Sequence, residues 1–179
     1  RDADDPRFPA SLTKVMTLYM LFDELEAGRI SLDDELTVSR NAASQPPSNL
    51  RLSTGDKITV SDAIDALVTK SANDVAVVVA EKIGGTEARF AALMTVKATT
   101  LGMSSTRFYN ASGLPDERQV STARDMARLA EAIMEELDHD GDGQVGWGEF
   151  QALRARIRQG LAPAMDDESS AEDVQHEAD

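Results

Sequence analysis

The stretch from Ser11 to about Ala27 sets the strictest condition on how this chain folds. Leu12, Val15, Met16, Leu18, Tyr19, Met20, Leu21, Phe22 and Leu25 cover most of the circumference of a helix, and Gly28 supplies its stop. A helix apolar on most sides has to be surrounded, so the pattern predicts a buried central helix. The chain has 179 residues and no cysteine, which suits one modest domain with an appendage whose core holds by packing alone.

The flanking pattern is helical as well. Ser61 is a candidate N-cap for a helix carrying Ala63, Ile64, Leu67 and Val68 at i, i+3, i+4 spacing. A second helix is predicted from about Asn73 to Ile83, stopping at Gly84-Gly85. A third runs from about Glu87 to Leu101, and a fourth from near Thr122 to Leu137. Residues 29–59 read as a loop-rich connection, with extended candidates at Glu35–Ser39 and Asn49–Leu52 around a Pro46-Pro47 break. No repeat of the 20–50-residue kind is visible.

The charge is lopsided. Of 32 acidic and 18 basic residues, 13 acidic and 3 basic fall in 135–179, so that stretch carries −10 of the formal −14. Such a balance repels nucleic-acid phosphates and anionic membranes and suits divalent cations, and it also serves solubility. No apolar run approaches the roughly 20 residues of a membrane span. The chain opens at Arg1 with neither Met nor a signal-peptide apolar region, and so reads as a processed product or a fragment. Residues 162–179, rich in acids and poor in aromatic and branched apolar side chains, are expected to be disordered.

Two segments carry chemistry. A serine used for acyl transfer needs a base within reach and positive potential nearby. Ser11 and Lys14, at i and i+3, share a helix face, and Ser11 at the amino-terminal turn meets the positive end of the helix dipole. The apolar surroundings would desolvate Lys14, favouring the neutral amine that a base requires. Ser71 and Asn73, between two helices, could offer a hydroxyl for proton relay and an amide for holding a peptide bond. Each motif alone is also what ordinary helix capping would produce.

Order and context across about 125 residues go further. Pro9-Ala10-Ser11-Leu12-Thr13-Lys14, Ser71-Ala72-Asn73-Asp74, Leu101-Gly102-Met103 and Asn110-Ala111-Ser112-Gly113-Leu114 resemble the D-alanyl-D-alanine carboxypeptidases, the low-molecular-mass penicillin-binding proteins, from the first residues to about Met134. The resemblance implies Ser11 as acylated nucleophile, Lys14 as its base, and Ser71 and Asn73 as relay and substrate-holding residues. It further implies a substrate that is the D-Ala-D-Ala end of a peptidoglycan stem peptide, recognition of β-lactams, no metal in the serine chemistry, and a place in the bacterial periplasm or cell envelope. A β-lactamase shares the first motif, but the other segments fit the carboxypeptidase better.

This sequence departs from that family in one respect. The family also uses a Lys-Thr-Gly strand that binds the substrate carboxylate beside the oxyanion hole, and these 179 residues contain none. Their only Thr-Gly, Thr54-Gly55, follows Ser53 and precedes the second motif. The expected fold is therefore mainly α: the helical part of the β-lactamase/D,D-peptidase-like fold lacking most of its central sheet, followed by a helix-loop-helix EF-hand.

That EF-hand is the second chemical segment. Asp138, Asp140 and Asp142 occupy loop positions 1, 3 and 5, Gly143 holds the turn at 6, and the Gln144 carbonyl serves 7. Gly146 leaves position 9 to a water, and Glu149 at 12 can bind with both oxygens. Val145 at 8 is apolar, and Ile133, Met134, Leu137, Phe150 and Leu153 flank the loop on helical spacing. The calcium affinity is expected to be modest, and a lone EF-hand needs a partner, by dimerising or by docking on the helical domain. Trp147 is the only tryptophan and would report binding. His139 and His176 lie in acidic sequence and are assigned no role.

The expected organisation is thus a carboxypeptidase-like helical domain over 1–134, an EF-hand over 135–161 and an acidic tail over 162–179. Two functions compete. One is a serine D,D-carboxypeptidase-like protein acting on stem peptides and carrying calcium. The other is a calcium-binding protein with a catalytically inactive, truncated peptidase module.

Overall fold

The computed structural model describes residues 2–138 and, beyond them, only Ala155. A 3₁₀ turn at Ala10–Leu12 leads into α1 (Thr13–Glu26), followed by β1 (Glu35–Thr37), α2 (Arg40–Ala43), β2 (Lys57–Thr59), α3 (Val60–Lys70), α4 (Asn73–Gly84), α5 (Glu87–Thr100) and α6 (Ala123–Leu137). β1 and β2 pair antiparallel, with Leu36 opposite Ile58, and form the one sheet among the described residues. The described chain is thus helix-rich with a two-stranded ribbon, as the helical reading expects.

Hydroxyl caps start most of the helices. Ser39, Thr59, Thr86 and Thr122 accept from the backbone N–H three residues on, at Ala42, Asp62, Arg89 and Asp125. The cap of α3 is therefore Thr59 and not Ser61. Both are capping residues two positions apart, and the Thr59 hydroxyl also bonds the Asp62 carboxylate at 2.8 Å, a reciprocal pairing that Ser61 lacks the spacing to make.

The most deeply buried helix is α4. Every residue from Ala72 to Ala80 is buried, including Val75, Val77, Val78 and Val79. Its small and β-branched side chains let α1, α2, α3 and α5 close on it. α1 buries Met16, Met20, Leu21, Phe22 and Leu25, but Val15, Leu18 and Tyr19 are only partly covered and Leu12 is 56% exposed. The apolar circumference of α1 was expected to mark the central helix; the structure gives that place to α4. The strand expected at Asn49–Leu52 is absent, and Asp74 is the reason. Its buried carboxylate accepts from Leu50 N at 2.9 Å and Leu52 N at 3.4 Å, taking the donors a strand would offer to a neighbour.

Candidate active site

Three segments meet around Lys14. The 3₁₀ turn brings Ser11 to the surface just ahead of α1, so Ser11 is exposed in this turn and not, as expected, inside the α-helix. One turn further, Lys14 is 3% exposed. Its Nζ donates to Asn73 Oδ1 at 2.8 Å and to the Ser112 carbonyl oxygen at 2.6 Å. Burial lowers the Lys14 pKa to about 8 from its ordinary 10.5. Both acceptors are uncharged, and among the described residues no carboxylate bonds Nζ to restore the cation. A neutral amine keeps two N–H donors and one lone pair. The two carbonyl-type acceptors occupy those donors and leave the lone pair for a proton.

Asn73 opens α4 and is held from both sides of its peptide. Its Nδ2 donates to the Pro46 carbonyl at 2.9 Å and its backbone N–H to the Ser48 carbonyl at 2.7 Å, which fixes Oδ1 toward Lys14. Ser71 sits at the C-cap of α3 in the left-handed region (φ 52°) and is half-buried. A non-glycine residue pays roughly 1–2 kcal/mol there, and such positions concentrate at functional sites. Ala10, immediately before Ser11, is also left-handed, at φ 48°.

The third segment, 109–114, carries residues whose roles spacing did not reveal. Asn110 Oδ1 accepts from Gly113 N at 2.7 Å and Ser112 N at 3.2 Å, an Asx turn that aims the Ser112 carbonyl at Lys14. Thr17, one turn along α1, donates to the Ala111 carbonyl at 2.8 Å. Gln119 is 2% exposed; its Oε1 accepts from Tyr109 N at 2.8 Å and Asn110 N at 3.0 Å, and its Nε2 donates to Thr13 Oγ1 at 3.3 Å. The Asn-x-x-Gly spacing was a readable turn signal. That its product is a backbone acceptor for a lysine was not.

Asp74 secures the opposite wall. Besides Leu50 and Leu52 it accepts from Val75 N at 2.9 Å, and it is 1% exposed. Asp74→Asn keeps the shape but turns an amide toward N–H donors. It is expected to cost about 1–3 kcal/mol of stability, read by denaturant unfolding. Unfolding at the wild-type midpoint would refute this role.

Lys14 on α1, Ser71 between α3 and α4 and Asn73 at the start of α4 lie where the sequence places them, Ser11 falls in the preceding 3₁₀ turn, and the structure brings Lys14 and Asn73 into direct contact. Of the calcium loop only Asp138 is described, at the C-cap of α6; Asp140, Asp142, Gln144 and Glu149 lie outside the described residues.

A buried lysine bracketed by an asparagine and a turn carbonyl thus lies one helical turn from an exposed serine. The family profile described as Peptidase S11, D-alanyl-D-alanine carboxypeptidase, matches residues 1–141, and the chain belongs to that family. It is 35% identical over 134 residues to the D-alanyl-D-alanine carboxypeptidase DacF of Bacillus subtilis, covering 75% of this chain and 34% of that one. Among solved structures, the D-alanyl-D-alanine carboxypeptidase DacD from Francisella tularensis superposes with a TM-score of 0.75 at 38% identity, covering 80% of this chain and 35% of that one. Penicillin-binding protein D2 from Listeria monocytogenes in its cefotaxime-bound form gives 0.66 at 32%, covering 76% and 56%. The chain spans about a third of the length of the curated relatives it matches.

Proposed function

We propose that this chain presents the nucleophile half of a D-alanyl-D-alanine carboxypeptidase site, binding the D-Ala-D-Ala end of stem peptides in the bacterial cell envelope and accepting an acyl group on Ser11. The supporting observation is the Lys14 ammonium held by Asn73 and Ser112 with its pKa lowered to about 8. In that reading the Ser11 hydroxyl attacks the carbonyl of the penultimate D-alanine and passes its proton to Lys14. Collapse of the tetrahedral intermediate breaks the C–N bond and releases D-alanine, with Ser71 relaying a proton to the leaving amine. Asn73 holds the scissile peptide.

The 179 residues contain no Lys-Thr-Gly. Loss of a single oxyanion donor costs about 10²–10³ in rate. Turnover by this chain alone is therefore expected to be weak or absent while acylation persists. Incubation with a D-Ala-D-Ala tripeptide and assay of free D-alanine tests this, and robust release would contradict it. The second reading, a calcium-binding protein with an inactive peptidase module, differs in predicting that Ser11 takes no acyl group.

The loop Asp138, Asp140, Asp142, Gln144 and Glu149 is proposed to bind one Ca²⁺, supported by its ligand spacing alone. With position 9 a glycine, a dissociation constant of roughly 10⁻⁵–10⁻³ M is expected. Trp147 fluorescence during calcium titration reads it, and Glu149→Gln should weaken binding at least about tenfold. An unchanged signal at millimolar calcium would remove the assignment. A dimer formed through the unpaired EF-hand would appear as calcium-dependent mass in sedimentation.

A further inference from the structure

Beside the second motif lies a cavity of ≈ 380 Å³ lined by Pro47, Ser48, Asn49, Leu50, Arg51 and Lys70. It adjoins the site through two residues. Lys70 directly precedes Ser71, and Ser48 donates its hydroxyl to the Lys70 carbonyl at 2.8 Å while its own carbonyl receives Asn73 N. Both cations are exposed, and neither Arg51 nor Lys70 has a side-chain hydrogen bond or ion pair among the described residues. Seven other described cations have acidic partners, Arg7, Arg29, Lys57, Lys97, Arg118, Arg124 and Arg128, while Arg40, Lys82, Arg89 and Arg107 share the unpaired state but do not flank the second motif.

The position of Arg51 is built. Its neighbours Leu50 and Leu52 both donate their backbone N–H to the buried Asp74 carboxylate, and Arg51 between them is held in the left-handed region at φ 61°. A long side chain is strained there where glycine or asparagine would not be. Lys70 lies in the last turn of α3, where a cation suits the helix dipole; Arg51 has no comparable reason to be cationic. Asp74, next to Asn73, thus couples the second motif to the presentation of Arg51 at the cavity.

We infer that the Arg51–Lys70 cavity is a carboxylate subsite that recognises an anionic group on the acyl-donor peptide. The anion could be an acidic side chain upstream of the D-Ala-D-Ala pair or the terminal carboxylate itself. The substrate class, though not the anion site, depends on the reading of Ser11 as an acyl acceptor.

The test titrates the 179-residue chain, by calorimetry at low salt, with peptides ending in D-Ala-D-Ala. They carry glutamate or glutamine at each of the three upstream positions, and a free or amidated terminus. One carboxylate should tighten binding about three- to tenfold over its neutral counterpart, with the preference fading as salt rises. Which comparison shows it identifies the anion. The preference should disappear in Arg51→Asn, chosen because asparagine tolerates the left-handed region, and separately in Lys70→Gln, and survive in Lys70→Arg. Equal affinity for all peptides, no measurable binding of any, or a preference that persists in both neutral variants overturns the subsite. A penicillin adduct on Ser11, measured separately, shows whether the reading of the nucleophile stands or falls independently.

Discussion

Replacing Lys14 by methionine is expected to reduce acylation of Ser11 by about 10²–10⁴-fold, the range that a positioned general base supplies. The substitution keeps most of the buried volume and leaves Asn73 Oδ1 and the Ser112 carbonyl without their shared donor. Acylation by the wild type should rise with pH through about 8, as the amine loses its proton, and then level off. The same group makes stability depend on pH with a definite sign. Unfolded, Lys14 holds its proton to about pH 10.5; folded, it releases it near 8. Between those values the unfolded state binds more protons, so stability rises with pH. Below pH 8 the chain carries the full cost of a buried cation, on the order of 3 kcal/mol, and above 10.5 it carries none. Lys14→Met should lack this slope, so the difference between the two unfolding curves isolates it. Parallel curves from pH 7 to 11 would show that Lys14 is not held as described.

Gly113→Ala is expected to be the most damaging single methyl group in the described chain. Gly113 has φ +84°, and a Cβ there would overlap the Ala10 carbonyl and come within 3.0 Å of Ser11 N. The turn cannot move outward freely, because Asn110, Gln119 and Thr17 hold residues 109–113. The alanine must therefore displace the Ala10–Ser11 peptide. Left-handed strain and overpacking together should cost about 2–5 kcal/mol. A 1 Å shift of a reacting group loses about 10² in rate, so acylation should fall by a similar factor in whatever remains folded. A midpoint within 0.5 kcal/mol of wild type, roughly the effect of a neutral surface change, would contradict this packing.

The sequence announced the chemistry of this site more clearly than its geometry. Lys14 could be read as desolvated because its neighbours are apolar, and Ser71 and Asn73 because their spacing and order match the family. Ser112 was invisible as a functional residue because its contribution is a carbonyl oxygen, which every residue has; only the Asx turn of Asn110 makes it an acceptor. Helix existence followed from periodicity, and the errors arose where two local signals competed. Thr59 displaced Ser61 as a cap through its exchange with Asp62. At 49–52 an extended pattern lost its donors to Asp74, 22 residues or more away in sequence. The choice of central helix failed for a related reason. Bulk suggested α1, but the valines and alanines of α4 allow the closer approach on all sides.

Intact mass after incubation with benzylpenicillin, followed by peptide mapping, tests the central claim most directly, because a β-lactam acylates the nucleophile without requiring complete turnover. A single adduct on Ser11 in the wild type, missing from Ser11→Ala and at most a trace in Lys14→Met, is the predicted result. A folded wild-type chain that takes no adduct, or takes it on another residue, would contradict the assignment of Ser11 and Lys14.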